Sequence, residues 1–273
     1  MSHADGGMEE IEEDILRHML QALFGETYLY IGTAVEDMPE KRRANIVRIC
    51  KIALKHLDTG IADPGKIPPR VAQALLTDGS YVEDPVASQY WGGILACART
   101  VNQRDDRAAR RLKTLGRLGA YDIRTHYLFY TTLRLLLRNC RDPEKVNFDD
   151  EKERFRLAAF IPAGYYILAM DYNKDEILHM PRILSDILVS LGMEYLVDGS
   201  NTGADYYLKQ FFTSKAIRGE GVVFSPGLQG IQLFLWAFGY KDRPHAFFLD
   251  PDLQCRIHGV QMGIDEAGLV YDA

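Results

Sequence analysis

The chain has 273 residues, of which 47% are hydrophobic, 26% charged and 11% aromatic, with a formal net charge of −6. This balance offers enough apolar surface to offset chain entropy, which excludes intrinsic disorder, and the length admits one large domain or two small ones. No stretch reaches the roughly 20 apolar residues of a membrane helix; Leu157–Met170 is short and contains Pro162 and Gly164, and Val222–Gly239 is interrupted by Pro226, Gly227, Gln229 and Gly230, so both read as core.

The opening MSHADGGMEEIEED is acidic where a secretory signal is basic and then apolar, so a cytoplasmic chain without a membrane partner is expected. Cys50, Cys97, Cys140 and Cys255 lie far apart with no CxxC pair and no His at zinc-ligand spacing, which reads as reduced, buried thiols.

From Met8 to about Phe24, Ile11, Ile15, Met19 and Leu23 recur every fourth position behind an acidic start, which predicts a helix. A second runs from about Arg42 to Leu57, with Ile46, Cys50, Ala53 and Leu57 on one face and Gly60 to end it. Pro68 and Pro69 open a short helix carrying Val71, Ala74 and Leu75. Asp84-Pro85 then supplies a cap and a first-turn proline for a helix through Tyr90, Trp91, Ile94 and Leu95. The adjacent Gly92 and Gly93 cost that helix stability and point to a close approach by another backbone. A basic helix follows to about Leu118, then another with Ile123, Tyr127, Tyr130 and Leu137 near helical spacing.

Composition shifts at RDPEKVNFDDEKER, where a soft boundary falls. Leu157 to Tyr172 reads equally as a buried helix or a strand pair, since periodicity alone does not separate them. Beyond Lys174 come a helix with Ile177, Ile183, Leu184, Ile187, Leu188 and Leu191, MEYLV as a short strand, a polar segment over Asp198–Gly221, VVFS as a second strand, and a helix opened by Pro226. Helix, strand, wing, strand, helix is the order of a winged-helix element. The expected fold is therefore mainly α: a helical bundle over residues 1–140, a connector or buried segment over 141–173, a winged-helix-like α+β element over 174–240, and a loop-rich acidic tail over 241–273.

The strongest charge feature is the stretch from Arg99 to Arg124, with eight basic residues against three acidic ones in a chain that is acidic overall. Arg110, Lys113 and Arg117 fall at three- and four-residue spacing on one helix face, and Arg107 and Arg111 flank them. Such a face serves either as a solvated surface pairing with the acidic N-terminal helix or as a contact for an anionic partner. The wing adds Lys209, Lys215 and Arg218 as candidate anion contacts. The preceding helix sets Lys174, His179 and Arg182 against Asp175, Glu176 and Asp186, a poor balance for a DNA groove.

Asp105, Asp106 and His126 form an alternative metal or acid-base constellation, though no spacing among them is diagnostic and Asp105 stands where a helix needs its cap. Phosphate-loop, dinucleotide-loop and nucleophile-elbow signatures are absent, so no catalytic residue and no cofactor is assigned.

The run KIPPRVAQALLTDGSYVEDPVASQYWGGILACARTVNQRDD, the later HYLFY and the closing VVFSPGLQGIQLFLWAF together resemble the Abi-alpha-like proteins of bacteria. The resemblance implies a mostly helical bacterial cytoplasmic protein, linked by family name to abortive phage infection, with no catalytic residues to carry over. The expected partner is a protein or a second copy of the chain, with nucleic acid as the alternative.

Overall fold

The computed structural model describes residues 15–58, 65–100, 105–138, 146–197, 209–210, 220–265 and 267–269. Among these the chain is mainly helical, with one small antiparallel sheet. It divides into two compact units: Met1–Arg117 with Trp236–Lys241, and Leu118–Leu235 with Asp242–Ala273. The division thus falls at Arg117–Leu118, ahead of the composition shift near residue 141.

The first unit is built from α1 (residues 15–24), α2 (Tyr28–Glu36), α3 (Glu40–Asp58), α4 (Pro69–Thr77), α5 (Pro85–Cys97) and α6 (Arg107–Leu115). In α1 the buried residues are Leu16, Met19, Leu20, Leu23 and Phe24, while Ile15 is exposed. The buried stripe thus follows three- and four-residue spacing, not every fourth position, as a 3.6-residue turn requires. Asp84 caps α5 by accepting from the N–H groups of Val86 and Ala87, with Pro85 in the first turn, as the sequence indicates.

Helices α3 and α5 pack at Gly92, where an added Cβ would lie 2.5 Å from Ile52 Cγ2. At Gly93 the neighbour is backbone: a Cβ would meet the Ala237 carbonyl oxygen at 2.0 Å. The close approach read from the paired glycines is present at both. Around this contact, Gln89 Nε2 donates to Ala237 O at 3.0 Å and lies 3.0 Å from His56 Nε2. Burial, with a contribution from Lys55, pushes the His56 pKa down to about 4 and keeps the ring neutral.

Two of the α3 arginines, Arg42 and Arg48, are structural. Arg42 donates to Ser80 Oγ through Nε at 3.1 Å and Nη2 at 2.8 Å, Asn45 Nδ2 donates to Ser80 O at 3.0 Å, and Arg48 Nη1 donates to Glu83 O at 2.7 Å. These bonds satisfy the polar groups of the buried turn that joins α4 to α5, a requirement for burying irregular backbone.

The second unit centres on α7 (Ala120–Arg138), buried over most of its surface. It continues with α8 (Glu151–Arg156), β1 (Ala159–Pro162), α9 (Ala163–Met170), α10 (Lys174–Met193), β2 (Lys209–Gln210), β3 (Glu220–Phe224), α11 (Leu228–Ala237) and β4 (Gly268–Leu269). The last two residues of α11, Trp236 and Ala237, belong to the first unit. The sheet order is β2-β3-β1-β4, all antiparallel, with Ala159 opposite Phe224 and Ile161 opposite Val222. The ambiguous segment over Leu157–Tyr172 thus holds both a strand and a helix, changing from one to the other at Pro162.

MEYLV is not a strand. Met193 is the last residue of α10, and Tyr195 adopts a left-handed φ of 56°. The Leu196 N–H reaches Leu191 O at 2.9 Å and the Tyr195 N–H reaches Gly192 O at 3.0 Å. This is a Schellman closure with tyrosine where glycine is usual. It satisfies the helix-end carbonyls and buries Leu196 against the chain, so the residues that alternate like a strand in sequence are a turn. The sheet partners of β3 are instead β1 and residues 209–210, the latter inside the stretch read as wing. Likewise α11 begins at Leu228, two residues after Pro226, which forms a bridge with Val197.

The tail is loop-rich as expected, yet it is buried against α7. Arg134 Nε donates to Phe248 O at 2.9 Å and its Nη2 to Asp250 O at 2.5 Å, while Tyr127 OH donates to Cys255 O at 3.2 Å. Phe248, Leu253, Ile257 and Ile264 are buried there, and β4 adds a fourth strand beside β1.

Candidate partner-binding surfaces

The predicted basic helix is α6, and its cations divide into two groups. Arg107 grips Asp105 with two donors, Nε to Oδ1 at 2.9 Å and Nη2 to Oδ2 at 2.7 Å, and Lys241 Nζ adds an ion pair at 3.3 Å. The hydrogen bonds from Arg107 are the main reason that the Asp105 carboxyl titrates well below the usual carboxylate range. The backbone N–H of Arg107 also donates to Asp105 Oδ1, so Asp105 serves the helix start as its position suggests. Arg111 lies over the Trp236 ring at 4.7 Å, a cation–π arrangement. Arg107 and Arg111 are therefore engaged within the first unit.

Arg110, Lys113 and Arg117 are exposed. Among the described residues, neither Arg110 nor Lys113 has an ion-pair partner. These three form the outward cationic face read from the sequence. Lys209 falls in β2, whereas Lys215, Arg218 and the acidic residues ahead of α1 lie outside the described residues.

The alternative constellation is distributed differently from a metal centre. Asp105 is held by Arg107 and Lys241, and Asp106 pairs with Arg70 at 2.9 Å. His126 belongs to the second unit, on α7, fully buried with its ring 4.4 Å from that of Tyr130. Burial lowers its pKa to about 3, opposed by a hydrogen bond with the Gly230 backbone, so the ring is neutral. Among the described residues no group of three or more His, Cys, Asp or Glu side chains is placed to hold a metal ion.

A surface the sequence reading passed over lies on α10. An Asn173–Glu176 capping box starts this helix: Asn173 Oδ1 accepts from Asp175 N at 2.9 Å and Glu176 N at 3.0 Å, and Glu176 Oε2 accepts from Asn173 N at 2.7 Å. Glu176 also accepts from the Tyr121 hydroxyl, which ties the first turn to α7. Met180, Leu184, Ile187, Leu188 and Leu191 are buried. On the opposite side Leu178 is 76% exposed, Met193 74% and Val189 51%. Leu168 of α9 and Tyr195 beyond α10 are exposed to a similar degree.

The signal was present in the sequence: Leu178, Val189 and Met193 are apolar residues off the main stripe, spaced to fall together on a second one. Beneath α10, Asp122 of α7 is almost fully buried, accepts from Gly119 N at 2.8 Å, and lies near enough to Asp186 of α10 to be influenced by its charge. Burial is the chief cause that pushes the Asp122 pKa up to about 6, and Asp186 adds to it.

No helix among the described residues is long and apolar enough to cross a membrane. Comparison with family models, with curated proteins and with solved structures returns no match.

Proposed function

We propose that this chain is an interaction protein that docks a macromolecular partner through a winged-helix-like module in its second unit. The topology supports this reading. Helix α8, strand β1, the α9–α10 pair, β2 and β3 follow one another in the order helix, strand, two helices, strand, strand, with β3 between β1 and β2. Helices α9 and α10 are joined by only three residues, Asp171 to Asn173, the connection of a helix-turn-helix.

The observation that carries the reading is the composition of the outward face of α10. In DNA-binding modules of this kind the second helix of the pair enters the major groove and presents donors to base edges. Here that helix exposes Leu178, Val189 and Met193, with Asp175 and Asp186 offsetting Lys174 and Arg182 beside them. An apolar face without net positive charge offers phosphate little but gains by burial against protein, at about 25 cal/mol per Å² of apolar surface removed from water. Among the described residues, seven of the twelve exposed large apolar side chains fall from Tyr165 to Tyr195, so the concentration is local and not the usual scatter. Tyr195 adds to this, because a left-handed tyrosine at 75% exposure costs backbone strain with no compensating burial. A bacterial, cytoplasmic setting and a defence or regulatory role follow from the Abi-alpha-like resemblance.

The test is purification from a native-like bacterial host, recording molar mass and the ratio of absorbance at the nucleic-acid and protein maxima. The expected result is a protein complex free of nucleic acid that is lost in the Leu178→Asp/Met193→Asp variant, with the helical circular dichroism signal retained. A complex indifferent to that variant overturns the reading.

Nucleic acid is the second reading, favoured by one observation: the outward cations Arg110 and Lys113 have no ionic partner among the described residues. It requires affinity that falls with salt, by about 0.9 in log K per log salt for each phosphate contacted. Reversing the charges at Arg110, Lys113 and Arg117 would then flatten the salt dependence; a salt-insensitive complex excludes this reading.

A further inference from the structure

We infer that the exposed face of α10 is a two-fold self-association surface, and that its occupant is α10 of a second copy of this chain, packed antiparallel. The inference rests on the docking reading above and names its partner. At about 100° per residue, Leu178, Arg182, Asp186, Val189 and Met193 fall within an arc of about 80°, on the side opposite the buried stripe. The order along that arc is apolar, basic, acidic, apolar, apolar. Such an order is self-complementary under a two-fold axis. In the antiparallel arrangement, Leu178 of one copy falls between Val189 and Met193 of the second, and Arg182 of each faces Asp186 of the other. The same surface patch is then used on both sides, as an isologous interface demands.

Charge supplies the independent argument. Arg182 and Asp186 are four residues apart on one helix, where a pair is within reach, yet among the described residues neither has an ion-pair or hydrogen-bond partner. Their order, base before acid along the helix, is the weaker orientation for an intrahelical pair. Across an antiparallel two-fold the same residues meet as two opposite-charge pairs at the centre of the contact. A parallel arrangement would set Arg182 against Arg182 and Asp186 against Asp186, which charge repulsion disfavours. The apolar ends thus supply burial and the polar centre fixes direction and register, a division of labour known from helix pairs with polar seams.

The axis in this arrangement passes beside Ser185, a half-buried position on the same face. Replacing it with cysteine brings two thiols together in the dimer and nowhere near each other in separate chains. The expected result with full-length purified protein is a species of twice the chain mass in light scattering, and an interchain disulfide in Ser185→Cys under mild oxidation that wild type, with its native cysteines, does not form. Arg182→Asp weakens the dimer by about tenfold or more, and Arg182→Asp/Asp186→Arg restores it, while thermal melts of all variants stay close to wild type. A wild-type chain that is monomeric across the accessible concentration range overturns the inference, as does a dimer with no Ser185→Cys cross-link or no rescue by the charge swap. The docking reading fails separately, only if the complex from the native-like host ignores the Leu178→Asp/Met193→Asp change.

Discussion

At the scale of single residues, the most consequential side chain in the second unit is Asp122. It sits against α10 with one backbone donor, Gly119, and the charge of Asp186 nearby, and burial pushes its pKa from an ordinary 3.8 to about 6. Between those values the folded chain holds a proton that the unfolded chain has released. Stability therefore falls as pH rises from about 4 to about 6, and the deficit is fully present above that window. Asp122→Asn keeps an oxygen to accept from Gly119 and removes the charge. The expected outcome is a gain of about 2 kcal/mol at pH 7 to 8, vanishing by about pH 4, read from denaturant titrations at several pH values. A variant equally stable with wild type at neutral pH would show that the carboxylate is not penalised. In sequence Asp122 reads only as an acid near a helix start, because packing by residues far along the chain is what buries it.

Among the secondary-structure elements, what was legible depended on whether the deciding interactions were local. The starts of α4 and α5 were readable because their proline and cap residues act within one turn, and α10 likewise begins on an Asn173–Glu176 box. Of the strands, β3 was readable in VVFS, whereas β1 was not, because it is short and finds β3 only across some sixty residues of sequence, Ala159 opposite Phe224. Residues 194–197 were misread for the complementary reason: a Schellman turn and a strand end both place apolar residues at alternate positions. The basic face of α6 was legible from spacing, whereas the consumption of Arg107 by Asp105 and of Arg111 by Trp236 needed the fold. The helical glycines give this scale its test. Gly93→Ala drives a Cβ to 2.0 Å from the Ala237 carbonyl and is expected to cost about 3 kcal/mol or more. Gly32→Ala in α2 meets nothing closer than 3.9 Å and is expected to gain up to about 1 kcal/mol from helix propensity. Thermal melts of the pair decide the matter; equal effects would mean that the α5 contact yields easily.

For the whole molecule, the governing fact is that the first unit is discontinuous. Its core takes Trp236, Phe238 and Tyr240 from a segment that arrives more than a hundred residues after Arg117, and Ala237 O accepts from Gln89 of α5. The segment is reached through α11, whose first residues, Ile231 and Phe234 among them, are buried in the second unit. Removing three large aromatic-bearing residues from a core of this size deletes several kcal/mol of burial at about 25 cal/mol per Å², comparable to the whole stability of a typical domain. A fragment of residues 1–117 is therefore expected to lack a cooperative thermal transition, although it holds every helix from α1 to α6. Adding a peptide of residues 226–243 in trans is expected to restore the transition and raise its midpoint with peptide concentration, as ligand binding to the folded state requires. A fragment that melts cooperatively alone, at the temperature of the intact chain, would show that the returning segment is an ornament to the first unit instead of part of its core.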